Sequence, residues 1–370
     1  MGESLRLAIM GCGWAGTRHA RACTQCGVEV RWAIDLDLGR AESLHRSQSG
    51  TQGGIWTSTD YRAALDDPDV DAVDICLPHN LHAPVAVEAA GAGKHVLCEK
   101  PLAATLEGAD RMIEAADRAG VVLMVAENVR FHALFDKVRD LLRDGAIGQP
   151  ALIQMTRQCY LTCSFLEDRR WFLDAEAAAG GIMMSGGIHD FETMRMLIGE
   201  VESVYSLRAP QRFVEMGGDD TSVALVRFGN GAVGTLVGSF VMKDLTTASG
   251  PEIHTLRIDG DLGSLSVREG DTICLFSERE DYLLGGSLMQ HEIYVPKEDS
   301  FVSLMEHFVH CVRTGEEPVT SGRSQRKPLA IVLAAYEPMR SGQPVRVDGR
   351  LSCCGRCSTL ERDGETNDLE

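Results

Sequence analysis

From residue 5 to about residue 125 the chain alternates short apolar runs with longer segments in which apolar positions recur every three or four residues. That alternation is the pattern of βαβ units and predicts a parallel sheet with helices on its faces. The apolar runs predict strands over 7–10, 30–34, 72–77, 95–98 and 121–125. Between the last two, Leu106, Ala109, Met112, Ile113 and Ala116 fall on one helical stripe, which predicts a crossover helix packed on the sheet.

The texture changes after residue 128. A helix over 135–142 ends at Asp144-Gly145, and a strand-like run follows over 151–155. Strand patterns then come in series over 201–207, 223–228, 233–240, 254–258 and 272–276, separated by Gly-Asp, Gly-Asn and Asp-Gly turn signals. This predicts a mainly antiparallel sheet, closed by helices over 301–313 and 327–340. The 370 residues are enough for two cores. The organisation read from the pattern is a doubly wound α/β domain over 1–127 and a second α/β domain over 128–349. The polar, acidic stretch 350–370 has little to bury and is expected to be disordered.

Composition narrows the partners. The formal charge is −18, from 36 Lys+Arg against 54 Asp+Glu, and no basic run offsets it, which argues against nucleic acid and anionic lipid. No apolar run is long enough to span a bilayer, and residues 5–10 read as a first strand rather than a secretion core. Twelve scattered cysteines without such a leader point to a reduced, cytoplasmic protein with buried thiols. Cys23 and Cys26 have C-x-x-C spacing and Cys353, Cys354 and Cys357 cluster near the end, but no closed set of four ligands emerges. No metal is expected.

Candidate chemistry begins at Gly11-Cys12-Gly13-Trp14-Ala15-Gly16, a G-x-G-x-x-G between a predicted strand and helix. Glycine there permits a tight turn and close backbone approach to a pyrophosphate, which the helix N-terminus then faces. Asp35 lies nineteen residues beyond Gly16, at the end of the second predicted strand, where a carboxylate can accept from a ribose 2′-hydroxyl. Asp35 and Asp37 would repel a 2′-phosphate, so NAD is expected over NADP. Two further segments follow predicted strands directly: Leu77-Pro78-His79-Asn80-Leu81-His82 and Glu99-Lys100-Pro101. Carboxyl ends of parallel strands are where open α/β sheets bind ligands. Leu77, Pro78, Asn80, His82, Glu99 and Lys100 therefore join the glycine loop and Asp35 as expected cofactor contacts. A lysine desolvated beside a cofactor has a lowered pKa and suits proton exchange with a hydroxyl; read as a bare tripeptide, Glu-Lys-Pro is more often a surface turn than a catalytic site.

The succession of these pieces resembles one family. Asp71-Ala72-Val73-Asp74-Ile75 leads into the Pro78 segment, and Gly93-Lys94-His95-Val96-Leu97-Cys98 leads into Glu99-Lys100-Pro101. With Glu127-Asn128-Val129-Arg130-Phe131, Gly180-Gly181-Ile182-Met183-Met184-Ser185-Gly186-Gly187-Ile188-His189-Asp190 and Phe228-Gly229-Asn230-Gly231, the order is similar to that of the glucose-fructose oxidoreductase, inositol dehydrogenase and MocA (Gfo/Idh/MocA) oxidoreductases. The likeness runs to at least Val347.

It implies a Rossmann domain followed by an α/β domain with a large, mostly antiparallel sheet whose open face makes oligomer contacts, hence a homodimer or homotetramer. It also implies hydride exchange between nicotinamide and a hydroxyl or ketone of a sugar-like or cyclitol-like substrate held between the domains. Lys100 and His189 match the family's catalytic lysine and substrate-site histidine; Asn128, Arg130, Arg170, Trp171 and Ser185 fall at its cleft. The residues themselves agree, since positions 185 and 189 share a helical face at i, i+4. Gly186 and Gly187 cost roughly 1 kcal/mol each inside a helix, which either a close approach of cofactor or substrate or a place at the helix start would explain. One departure is Ser185, where many family dehydrogenases carry an aspartate; a serine is no carboxylate base. Asp190 is turned about 100° from His189 and does not replace it. The alternative function is a non-catalytic protein that binds NAD and sugar on the same fold.

Overall fold

The computed structural model describes residues 4–48, 54–161, 169–213, 215–242, 252–268 and 271–347. The acidic C-terminal stretch and its cysteines lie outside them.

Six parallel strands form the first sheet: β1 (Arg6–Met10), β2 (Glu29–Ile34), β3 (Trp56–Ser58), β4 (Ala72–Ile75), β5 (His95–Glu99) and β6 (Leu123–Ala126), in the order β3-β2-β1-β4-β5-β6. The chain winds outward one way from β1 and then restarts at β4 on its other side. That reversal leaves a crevice beyond the carboxyl ends of β1 and β4, the usual ligand position in this architecture. The connections are α1 (Trp14–Gln25), α2 (Leu38–Ser47), α3 (Arg62–Leu65), α4 (His79–Gly91) and α5 (Leu106–Ala119). The helix α5 forms where the stripe predicted it: Leu106, Ala109, Met112 and Ala116 are buried and Ile113 is half-buried. Thr105 caps its start by accepting from Gly108 N at 3.0 Å, and Gly120 ends it in the left-handed region at φ 66°.

The second unit contains α6 (Ala133–Arg143), β7 (Pro150–Cys159), α7 (Ala175–Ala178), α8 (Ile188–Leu197), β8 (Val201–Arg208), β9 (Thr221–Phe228), β10 (Val233–Ser239), β11 (Glu252–Gly260), β12 (Gly263–Arg268), β13 (Thr272–Ser277) and β14 (Gln290–Tyr294). It closes with α9 (Ser300–Thr314), α10 (Gly322–Ser341) and β15 (Val345–Arg346). Its nine strands run β14-β13-β12-β11-β7-β10-β9-β8-β15, antiparallel except where β7 meets β10. Along β9 the burial alternates residue by residue, with Ala224, Val226 and Phe228 inward and Val223 and Leu225 exposed.

Four strands escape the sequence pattern. The strands β3 and β15 are very short, β14 is a polar edge with exposed alternate positions, and β12 is a serine-rich return from β11 through Asp261-Leu262. The helix α10 begins at Gly322 rather than 327, because Ser321 caps it and Pro328 is accommodated inside.

Two large apolar cores, beside a smaller cluster around Phe172, Ile182 and Phe240, hold these layers. In one, Leu7, Ile9, Ala20 and Cys23 pack with Phe301, Leu304, Met305 and Phe308. So α9 returns to the first sheet and packs on α1; the boundary at 128 separates the sheets but not all of the helices. The other core is continuous from Val73, Ile75, Val96 and Met112 through Phe191 and Met194 of α8 and Leu329 of α10 to Ile153, Met155, Leu236 and Ile258 of the large sheet. Each such side chain contributes about 1.5–3 kcal/mol by leaving water. This shared core fixes α8 against the carboxyl edge of the parallel sheet, where the site lies.

Candidate functional site

The glycine loop is built as the motif requires. Gly11 sits at φ 97°, and a Cβ there would lie 2.2 Å from Cys76 O. A Cβ on Gly16 would lie 2.0 Å from Gly11 O, whereas one on Gly13 would meet nothing within 4 Å. Gly11 and Gly16 thus close the turn, while Gly13, the N-cap of α1, leaves open space over it. The cap supplies no side-chain hydrogen bond and the first turn holds no acidic residue, so the N–H groups that begin α1 are available to an anion. Cys12 is buried; its N–H donates to Asp35 Oδ2 at 2.9 Å, and burial pushes its thiol up to about 12. Asp35 Oδ1 accepts from Asp37 N at 2.9 Å, and Arg40 lies 3.7 Å from Asp37. A carboxylate held by two backbone N–H groups keeps lone pairs for ribose hydroxyls and disfavours a phosphate, so the residues fit NAD.

Trp14 is half exposed beside Ala15, with the Arg18 guanidinium 4.6 Å and the Arg169 guanidinium 4.8 Å from its ring centroid. Arg169 comes from the second unit, so a cation–π contact joins the two units beside the loop.

At the other strand ends the expected contacts divide. Pro78 is the N-cap of α4, and Asn80 Oδ1 is buried without a hydrogen-bond partner. His82 is not free to bind cofactor: its ring lies 2.7 Å from Pro101 O and 2.8 Å from Leu77 O, so it braces the two loops against each other. Glu99 Oε2 accepts from Lys100 N at 3.0 Å, and Oε1 lies 3.3 Å from His19 Nε2. Burial works against the Glu99 carboxylate, but His19 and Lys100 outweigh it and hold its pKa below the usual range. His19 in turn bonds Asp74 Oδ2 at 2.7 Å, a buried pair under the crevice.

Lys100 and His189 converge. Lys100 Nζ donates to Ser185 O at 2.7 Å, and burial pulls its pKa down, against the pull of Glu99 and Glu127. His189 Nδ1 is hydrogen-bonded to Glu127 Oε1. Burial, then Lys100 and Arg157, holds His189 well below its ordinary pKa, so it is neutral; burial pushes Glu127 up to about 8. Glu127 follows β6, Lys100 follows β5, and His189 sits in the first turn of α8, so three elements deliver the cluster.

Several expectations need correction. Residues 183–187 form a π turn, and Ser185 Oγ donates back to Gly181 O at 2.5 Å, so Ser185 offers its carbonyl to the site rather than its hydroxyl. An added Cβ at Gly186 would lie 2.6 Å from Arg157 Cδ, and one at Gly187 would lie 3.2 Å from Met183 Sδ, so protein packing already crowds both positions. Asn128 Nδ2 donates to Ser300 Oγ at 3.1 Å, and Arg130 pairs with buried Glu192 at 3.3 Å, so both tie elements together. Arg170 is exposed, and Trp171 packs edge-on against His79 at 4.9 Å, as a wall of the cleft.

The sequence reading missed Glu127, Arg157 and His254. Arg157 makes bonds of 2.8 and 3.0 Å to Asp190, which His254 also contacts at 2.9 Å. This turns Asp190 away from His189, as the helical angle predicted. Glu127 carried a signal, an acid directly after a parallel strand; Arg157 and His254 come from neighbouring antiparallel strands, with no spacing to betray them.

Residues 5–127 match the oxidoreductase family with an NAD-binding Rossmann fold, and residues 135–266 match the GFO/IDH/MocA C-terminal domain. The chain is 29% identical over 349 residues to a myo-inositol 2-dehydrogenase of Thermotoga maritima, covering 93% of this chain and 99% of the relative. It is 32% identical to a 1,5-anhydro-D-fructose reductase of Ensifer adhaerens, covering 80% and 86%. The fold is similar to that of an oxidoreductase from Agrobacterium radiobacter solved with NAD+, L-tartaric acid and magnesium, with a TM-score of 0.82 at 22% identity, over 93% of this chain and 99% of that one.

Proposed function

The chain belongs to the Gfo/Idh/MocA oxidoreductase family, with its NAD-binding Rossmann domain, and from that premise we propose that it interconverts a secondary hydroxyl and a ketone on a sugar, glycoside or cyclitol. The observation that carries the reading is that Lys100 Nζ, at the carboxyl edge of the parallel sheet, donates to Ser185 O four residues before His189, whose pKa burial and then the Lys100 charge lower. NAD supplies the hydride acceptor or donor when bound; the chain supplies the proton path.

Lys100 exchanges the hydroxyl proton, which its lowered pKa favours. His189, neutral and partly exposed, bonds the same oxygen or passes the proton on. Trp171, packed edge-on against His79, and the exposed Arg170 stand as substrate contacts in this reading. The two named relatives act on an inositol and an anhydro-sugar, which supports a ring substrate dense in hydroxyls. The cluster of Lys100, His189 and Glu127 favours turnover over the alternative of a binding protein. The exposed Leu207, Val223, Leu225 and Val233 on the open face of the large sheet support a homodimer or homotetramer. Among the described residues no helix is long and apolar enough to cross a membrane.

The test is to supply NAD+ with a panel of inositols, anhydro-sugars, aldoses and glycosides and to follow NADH. Turnover of at least one ring polyol is expected. A protein that binds NAD and reduces none of it across the panel would overturn the enzymatic reading.

A further inference from the structure

A proton taken by Lys100 or His189 must leave the pair, and position 185 cannot receive it: the Ser185 hydroxyl is committed to Gly181 O. Among the described residues, the carboxylate that touches His189 is Glu127, which reaches it from the end of β6. Glu127 is wholly buried, and its Oε2 has no hydrogen-bond partner. A buried, half-satisfied carboxylate is costly to keep. It faces Lys100 and Glu99 from the end of β5, the Val129 backbone from the turn after β6, Arg157 from β7, His132 before α6, and His189 and Glu192 from α8.

We infer that Glu127 is the positioning residue of the proton path, acting through His189 and setting which imidazole nitrogen carries the proton. The inference rests on the dehydrogenase reading above. When Glu127 is protonated it donates to Nδ1, and the imidazole proton sits on Nε2, ready to bond or protonate a ketone oxygen. When Glu127 is ionised it accepts from Nδ1–H, and Nε2 is bare and can take a proton. In oxidation the carbon-bound hydrogen leaves with its electron pair to NAD+. The hydroxyl proton passes by way of the Lys100 amine to Nε2 while the Nδ1 proton passes to Glu127 Oε1, so the C=O forms, the amine and the imidazole end neutral and Glu127 ends as the acid. Reduction runs the same transfers backwards. A Glu127 pKa of about 8, raised by burial, puts both states within reach near neutral pH.

The experiment compares wild type, Glu127→Gln and Glu127→Asp as full-length, NAD-bound protein. Infrared difference spectra between acid and alkaline pH should show a carboxylic-acid C=O band in wild type that is lost as pH rises through about 8 and is missing in Glu127→Gln. In turnover, wild-type oxidation should rise through the same pH. Glu127→Gln should lower kcat about 10–100-fold and erase that step, with KM and NAD affinity within about 3-fold, since relayed acid–base steps contribute on that order. Glu127→Asp should restore part of kcat and the step, and serves as the informative variant if Glu127→Gln folds poorly. A band that persists in Glu127→Gln, or a Gln variant with wild-type kcat and pH profile, would overturn the inference. If wild type shows the band yet turns over nothing, the dehydrogenase reading falls while the proton on Glu127 stands.

Discussion

The glycine loop allows one motif to be split into a structural and a ligand-facing half. At Gly16 an added Cβ would lie 2.0 Å from Gly11 O, 3.1 Å from Gly11 C and 3.2 Å from Ile9 Cγ2. Two of those atoms are backbone and cannot rotate away, so Gly16→Ala must push α1 off β1. Overpacking of this kind costs about 1–3 kcal/mol, and a backbone clash belongs at the top of that range. At about 2–4 °C per kcal/mol, Gly16→Ala should lower Tm by roughly 6–12 °C without any cofactor present. At Gly13 the added Cβ meets nothing within 4 Å, and its φ of −77° suits alanine. The protein alone should therefore tolerate Gly13→Ala with less than about 1 kcal/mol lost, the size of an N-cap effect. The pyrophosphate must nonetheless approach this backbone, so NAD affinity should fall at least about tenfold, or 1.4 kcal/mol. Thermal melts of the free proteins together with calorimetric titration of NAD separate the two effects. A Gly13→Ala protein that binds NAD as tightly as wild type, or a Gly16→Ala protein with an unchanged melt, would refute the assignment of the loop.

Two other perturbations follow from buried charge. Asp190→Asn removes the negative partner of Arg157 and His254, and breaking a buried pair of this kind should destabilise by about 3 kcal/mol, read as a shift in urea midpoint. Because these partners hold the Asp190 carboxyl well below its usual range, its contribution is present above pH 4 and is lost as pH falls below it, so wild type and variant should converge in acid. Glu127 runs the opposite way: its pKa is raised to about 8, so its contribution is present below about pH 4.5 and is lost as pH rises toward 8. The melting temperature of Glu127→Gln should therefore gain on wild type between pH 5 and 9, and a constant difference would contradict the raised pKa.

Five of the six strands of the parallel sheet were legible because they are apolar runs alternating with helical segments, and α5 because a single stripe of Leu106, Ala109, Met112 and Ala116 faces the core. The glycine loop and Asp35 were legible for the same local reason: the chemistry sits at strand ends with fixed spacing. Three things were not. The return of α9 to the first sheet depends on which apolar face Phe301, Leu304 and Phe308 find, which periodicity alone does not state. The turn at Met183–Gly187 opens to a π geometry and spends the Ser185 hydroxyl on Gly181 O, so the i, i+4 argument placed the right backbone but the wrong atom. The pairing of Glu127 with His189 joins residues 62 positions apart across two units, a contact that exists only once the shared core has fixed α8. His82 shows the converse: it suggested ligand chemistry, yet its ring lies between Pro101 O and Leu77 O, and the neighbouring His79 ring bonds Ala178 O, so both hold loops in place.

The most direct test of the account is hydride transfer with and without the Lys100 amine. NADH formation from the best polyol of the panel should be compared for wild type and Lys100→Ala, with NAD binding titrated on the same samples. The account predicts turnover in wild type and a loss of about 100-fold or more in the variant, with NAD affinity held within a few-fold. Equal turnover in the two proteins, or a wild type that binds no dinucleotide, would contradict it.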